Sequence, residues 1–336
     1  MSDVAKRQPP PNPPPRAGEG GFVRDCRRWA VALAAITVIL LTLPLTTALA
    51  ADESGTIPVG GIARSYLAYV PDRLPQGAPL LFALHGTGGN GAHMRDETGA
   101  EFDRLADKNG FVAVYPTGYK NSWDDCRKTD PLPAKQEKID DIAFFRALIA
   151  LFHDKHGIDP RHVFIMGYSN GAQMAMRVAL EAPDLVAAIA AVSANLPVAD
   201  NSVCGHVDKP VAALLMDGTG DPVNPFKGGE VNLGRLGSRG VVNSAPATAR
   251  YWATLAGYVG DAEVTQLPHR DPADPTLVTI SDWHEPGKKP VLFYAISDGG
   301  HVVPNPHFQF PAMLGHVTRD IDAPVEIWNF FASTMR

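Results

Sequence analysis

Gly167-Tyr168-Ser169-Asn170-Gly171 lies between an apolar run, Val163-Phe164-Ile165-Met166, and a segment from Ala172 to Leu180 in which Met174, Ala175 and Val178 recur at helical spacing. The order is buried strand, tight turn, helix. Such a turn holds its central residue in a strained backbone conformation. Small residues two before and two after it let strand and helix approach without side-chain collision. With serine at the centre, a hydroxyl is presented at the end of a sheet strand, where a nucleophile can be held. Glycine and serine are common residues, so the meaning of the pentapeptide depends on what the rest of the chain supplies.

Upstream, Arg64 to Val70 alternates polar and apolar residues like an edge strand, and Leu80-Leu81-Phe82-Ala83-Leu84 is a continuous apolar run suited to a strand buried on both faces. That run ends in His85-Gly86-Thr87-Gly88-Gly89-Asn90. A glycine-rich loop directly after a central strand can aim backbone N–H groups at a developing oxyanion, which makes Thr87 and Asn170 the candidate donors. His85, Tyr168 and Trp123 are the candidates for substrate contact. Ala100 to Asn109 reads as a helix stopped at Gly110, and Phe111 to Tyr115 as a strand ended by Pro116. Tyr119 to Gln136 is a long polar connection; its Trp123 either faces substrate or anchors the loop. Asp140-Asp141 opens a helix through Phe152, and both aspartates read as first-turn capping and dipole residues.

Downstream, Ala187 to Val192 and Val211 to Met216 read as further strands, and the alternation of strand and helix predicts a mostly parallel α/β sheet. The second strand delivers Asp217-Gly218-Thr219-Gly220-Asp221-Pro222. An acid that supports a catalytic histidine belongs in a loop just past a strand, after the serine, and Asp221 fits that place best, with Asp217 as the alternative. Phe226 to Gly240, rich in glycine, reads as a flap. Ser244 opens a helix through Leu255, Leu277 to Ile280 is a short strand, and Val291 to Ala295 a stronger one that leads into Asp298-Gly299-Gly300-His301. Of eleven histidines, His301 alone has a buried strand before it, glycines that permit close approach, and the last place in a Ser, Asp, His order. His307 and His316 read as surface or packing residues, and Asp322 as the cap of a closing helix.

The 336 residues are 45% hydrophobic, enough for a sizeable core. Residues 1–50 differ in kind. Pro9 to Pro15 is almost all proline, Arg24, Arg27 and Arg28 precede an apolar stretch from Trp29 to Leu43, and Ala48-Leu49-Ala50 has the small-x-small pattern of a cleavage site. The segment reads as a secretory signal cut after Ala50, with secretion or a periplasmic location following; the rival reading is an uncleaved membrane anchor. Residues 51–336 then form one catalytic domain. Residues 1–50 hold six of the 30 basic and three of the 36 acidic residues, leaving 24 against 33 and a formal net charge of −9. That balance disfavours nucleic acid as a partner. Cys126 and Cys204 would remain, either as a disulfide or as two separate buried thiols, and no motif calls for a metal or other cofactor.

Assembled in this order, the chain resembles the α/β-hydrolase fold, and more narrowly the secreted esterases grouped with polyhydroxybutyrate depolymerases, feruloyl esterases and LpqC-like lipoproteins. The resemblance rests on Leu84-His85-Gly86, Asp140 to Phe144, Gly167 to Gly171, Gly218 to Pro222 with Pro225 and Gly228-Gly229, Gly299-Gly300-His301 with Pro304, and Ile327-Trp328-Asn329-Phe330-Phe331. It implies that Ser169, Asp221 and His301 form a triad, that Cys204 has a structural role, and that the substrate is an ester. Members of that family often have histidine where Asp217 stands and tryptophan where this chain has Val302-Val303, which bears on substrate preference. With no substrate-binding module after the last helix, a soluble or oligomeric feruloyl, acetyl or hydroxyalkanoate ester is expected. An acyltransferase or peptidase could use the same triad, and a non-catalytic binding protein could keep the fold.

Overall fold

The computed structural model describes residues 51–335 apart from 206–207 and 234–236, so the segment read as a signal or anchor lies outside the described residues. In chain order the strands are β1 (Ala51–Val59), β2 (Ile62–Val70), β3 (Leu80–Leu84), β4 (Val112–Pro116), β5 (Val163–Tyr168), β6 (Ala188–Val192), β7 (Ala212–Gly218), β8 (Gly229–Asn232), β9 (Ser238–Val242), β10 (Glu263–Gln266), β11 (Leu277–Trp283) and β12 (Val291–Ser297). Ten of them form one sheet in the order β1-β2-β4-β3-β5-β6-β7-β12-β11-β10. The middle of the sheet, β4 through β12, is parallel, and antiparallel pairs close both edges.

The apolar runs occupy the centre because both faces of those strands are covered: β3, β4, β5, β6 and β7 are buried at every position. The helices are α1 (Gly91–Glu97), α2 (Glu101–Asn109), α3 (Pro133–Gln136), α4 (Asp141–His156), α5 (Asn170–Glu181), α6 (Ala245–Leu255) and α7 (Ala323–Ser333). One face of the sheet carries α4, α5 and α6, through Phe144, Phe145, Met174 and Trp252. The other carries α1, α2 and α7, through Met94, Phe102, Ile327 and Phe331.

Topology locates the functional end of the sheet. The connection leaving β3 runs to β4 on one side, whereas that leaving β5 runs to β6 on the other, so a crevice opens between the carboxyl ends of the neighbours β3 and β5. The glycine-rich loop and the Ser169 turn emerge there.

Three segments differ from the sequence reading. Ala51 to Val59 forms a full strand in register with β2, although its Gly, Pro and Asp residues carry little strand propensity; pairing along all nine positions supplies the drive. The glycine-rich flap is in part a two-stranded hairpin, β8 with β9. Only Asp140 of the aspartate pair caps α4, accepting from the Ala143 N–H at 2.8 Å. Asp141 is buried: its Oδ1 accepts from Arg64 at 2.6 Å and its Oδ2 from the Asp124 N–H at 2.8 Å, tying β2 and the long connection to the start of α4. Removing one partner of such a pair leaves a buried charge uncompensated, which is its structural weight here.

Cys126 and Cys204, 78 positions apart in the chain, are joined, with Cα atoms 5.0 Å apart. The bridge fastens the connection from Tyr119 to Gln136 to the segment after β6. By the loop-entropy relation, closing a loop of this length stabilises by about 4 kcal/mol. Replacing both cysteines by serine should therefore lower the unfolding free energy by about that amount in urea titrations, while an unchanged midpoint would show that the bridge constrains nothing in the unfolded chain.

Candidate active site

Ser169 follows the last residue of β5 and adopts φ 54°, ψ −116°, a left-handed conformation that side chains rarely take. The flanking glycines allow it. A Cβ on Gly167 would collide with the Gly171 carbonyl, and one on Gly171 with the carbonyls of Leu84 and His85. Strand, turn, helix and the neighbouring β3 loop are thus packed backbone to backbone, and the helix that follows, α5, is buried along nearly its whole length.

Asp221 and His301 reach the Ser169 turn from the loops that follow the adjacent strands β7 and β12, respectively. A Cβ on Gly218 would strike the Gly299 carbonyl, and one on Gly300 the Leu314 carbonyl, so glycine at these positions lets the two post-strand loops close on each other. The His301 N–H donates to Leu314 O at 2.7 Å, and the Tyr168 hydroxyl to His301 O at 2.8 Å, which fixes the imidazole from both sides of its backbone. His301 Nε2 lies 3.0 Å from Ser169 Oγ, and His301 Nδ1 lies 2.7 Å from Asp221 Oδ2. The other carboxylate oxygen of Asp221 accepts from the N–H groups of Val223 at 2.7 Å and Asn224 at 2.8 Å. The side chains of Asp221 and His301 are 1% and 6% exposed, so the carboxylate meets the imidazole with little water between them.

Asp217, the alternative acid, is not in this chain of contacts. It is buried, Asn224 Nδ2 approaches its Oδ1 at 3.4 Å, and its Oδ2 has no partner among the described residues. Burial, reinforced by the charge of Asp221, pushes its carboxyl well above the usual carboxylate range.

The backbone N–H groups of Thr87 and Asn170 donate to no described group. Thr87 lines the cavity beside Ser169, and Asn170 opens α5, where the first N–H groups have no partner inside the helix. The side chain of Asn170 is occupied elsewhere: Oδ1 accepts from the Trp123 N–H at 2.9 Å, and Nδ2 donates to Asp125 Oδ2 at 2.6 Å.

Of the candidates for substrate contact, Tyr168 lines the cavity, and His85 and Trp123 do not. Both of the latter are fully buried, which corrects their assignment to substrate. The Trp123 indole N–H donates to His85 O at 3.0 Å, its ring packs on His85 and Phe145, and it anchors the connection from Tyr119 to Gln136. His85 is held between the Gly86 carbonyl, 2.7 Å from Nδ1, and the Gly118 N–H, which donates to Nε2 at 2.9 Å. This pattern sets the proton on Nδ1. Burial pushes the imidazole down to about 4, so it stays neutral and braces the loop that carries Thr87.

The cavity above Ser169 encloses about 240 Å³ and is walled by Val223, Leu233, Leu314 and Tyr168 together with Glu97. Sequence reading missed Glu97 because it missed α1. The available signal was Asn90, whose side chain accepts from the His93 N–H at 3.0 Å as the helix cap. A larger cleft, about 700 Å³, lies around Asp124, Lys135 and Arg177; Ser169, Asp221 and His301 do not line it. One group among the described residues, Glu101, His307 and Asp322, brings three metal-ligand atoms within 4.8 Å of one another. Glu101 is already engaged by Arg104, and none of the three lines the Ser169 cavity.

A profile of the family described as Phospholipase/Carboxylesterase matches residues 70–235. NocK of Nocardia uniformis subsp. tsuyamanensis, named as an esterase, is 30% identical over 226 residues, covering 66% of this chain and 59% of NocK. Feruloyl esterase B of Thermothelomyces thermophilus is 33% identical over 119 residues, 35% of this chain and 39% of that enzyme. The chain thus spans less than two thirds of the length of these relatives. Among solved structures, an acetyl xylan esterase from Aspergillus awamori superimposes with a TM-score of 0.54 at 16% identity, covering 83% of this chain and 99% of that one, a likeness of fold.

Proposed function

Because the chain belongs to the α/β-hydrolases of the esterase type, we propose that it is a serine carboxylic-ester hydrolase working through Ser169, His301 and Asp221. The observation that carries this reading is the continuous chain Ser169 Oγ, His301, Asp221, with spacings of 3.0 and 2.7 Å, built on a turn whose serine is held at positive φ. His301 Nε2 accepts the hydroxyl proton as Ser169 Oγ attacks the ester carbonyl, and Asp221 holds the other ring N–H and stabilises the imidazolium. The carbonyl oxygen becomes an oxyanion that the N–H groups of Thr87 and Asn170 receive, each donor worth about 3 kcal/mol in comparable sites. Collapse of the tetrahedral intermediate breaks the bond to the alkoxy oxygen, to which His301 returns the proton. Water, deprotonated by His301 in turn, attacks the acyl-enzyme and releases the acid.

The enclosed volume favours an ester with a small group beside Ser169. The relatives' names point to acetylated sugar and feruloyl esters as the first substrates to try, with hydroxybutyrate oligomers beside them. The disulfide fits an exported protein, since such bridges persist in oxidising compartments. Short p-nitrophenyl esters should be hydrolysed to acid and nitrophenol, with the matching anilides turned over far more slowly and added alcohols diverting little product. Faster cleavage of the anilide, or an acylated alcohol as the main product, would replace hydrolysis of esters by peptidase or transferase chemistry.

A further inference from the structure

The Ser169 cavity contains a carboxyl that the reaction above does not use. Glu97 is the last residue of α1 and lines the cavity with Ser169, His301 and Tyr168. Its backbone carbonyl accepts from Asn305 Nδ2 at 2.8 Å, which ties the end of the helix to the loop after His301. Its carboxyl forms no hydrogen bond or ion pair to a described residue. Three other polar side chains on that wall are committed. The Tyr168 hydroxyl donates to His301 O, and Ser169 and His301 face each other. Of the remaining wall residues Val223, Leu233 and Leu314 are apolar, Gly86 and Gly89 bring no side chain, and Thr87 adds a neutral hydroxyl and the N–H assigned above to the oxyanion. Among the described residues Glu97 is the cavity's one carboxyl, and a carboxyl with no partner beside apolar walls distinguishes ligands by whether they bring a donor, because an unmatched polar group there pays for its lost water.

We propose that Glu97 is a specificity-determining residue, selecting esters that carry a hydroxyl group near the scissile carbonyl and discriminating against esters that carry a carboxylate there. The inference rests on the esterase reading of Ser169. The part of the ester beside Ser169 is small, given about 240 Å³, so a hydroxyl two or three bonds from the carbonyl falls within reach of the cavity wall.

The ionisation of Glu97 gives the discrimination a pH signature. Burial, with the charge of Asp96 on its own helix adding to it, pushes the Glu97 carboxyl up to about 7. The groups facing it from other elements are Tyr168 at the end of β5 and His301 after β12; burial and the charge of Glu97 hold the Tyr168 hydroxyl protonated. Below about 7 the Glu97 carboxyl is neutral and tolerates a carboxylate on the substrate; above it the two repel. A pH effect on the steps common to every ester cancels in a ratio of two substrates.

The test compares methyl butyrate with methyl 3-hydroxybutyrate, with the glycol monoester of butyrate, and with the methyl half-ester of succinate, by kcat/KM between about pH 6 and pH 8. The wild-type protein should prefer at least one hydroxylated ester over its parent by about tenfold, the scale of one hydrogen bond to a charged group. Its rate on the succinate half-ester relative to methyl butyrate should fall as pH rises through about 7. Glu97→Leu should lose both effects. Glu97→Gln, the isosteric variant that guards against misfolding, should keep part of the hydroxyl preference and lose the pH trend. Hydrolysis of none of the esters would sink the esterase reading itself. Hydrolysis with the same ratios and pH trend in wild type and both variants would overturn the role of Glu97 alone.

Discussion

Ser169→Ala should lower kcat on a short p-nitrophenyl ester by roughly 10⁶-fold, the scale seen when the nucleophile of a comparable triad is removed. The variant should fold as before. Ser169 Oγ has one side-chain partner, His301 Nε2, and alanine removes no packed volume from the turn, whose closeness depends on Gly167 and Gly171. The turn's left-handed residue remains at position 169 in either case, so stability should change little. The thermal midpoint, read beside the activity, separates a lost nucleophile from a lost fold. Activity above about one part in a hundred of wild type would mean that another group attacks the ester.

Asp221→Asn should cost about 10⁴-fold in kcat, because an amide in place of the carboxylate favours the wrong histidine tautomer and no longer balances the imidazolium. The same substitution at Asp217 should cost no more than about tenfold, since the ring nitrogen of His301 is bonded to Asp221 and Asp217 acts only through Asn224, which donates its backbone N–H to Asp221. The pair therefore tests which of the two acids in Asp217-Gly218-Thr219-Gly220-Asp221 supports the histidine. Equal losses at both positions would indicate that Asn224, held by both aspartates, matters more than the direct contact at 2.7 Å.

The groups brought together around Ser169 were legible because each follows a buried strand directly. Val163 to Met166, Val211 to Met216 and Val291 to Ala295 are continuous apolar runs, and the residues just past them have to emerge at one end of a parallel sheet. Glycines at 167, 171, 218 and 300 marked the places where backbones meet. Less legible were contacts that depend on distant partners. Asp141 reads as a helix-start acid until Arg64, 77 positions earlier, lies against it. Trp123 in a polar loop reads equally as a substrate contact or a loop anchor until its ring is seen covered by His85 and Phe145 and its N–H taken by His85 O. The cavity wall was hidden for a similar reason. Glu97 ends a short helix with weak periodicity, and only the fold brings it beside Tyr168.

The central claim is that Ser169 is a nucleophile activated by His301, and covalent labelling tests it most directly. A fluorophosphonate should modify the native protein at one residue, with loss of ester hydrolysis in proportion to labelling, and peptide mapping by mass spectrometry should place the adduct on Ser169. His301→Ala should slow the labelling sharply while leaving the protein folded. An unlabelled Ser169 in an active protein, or an adduct on a different serine, would contradict the account.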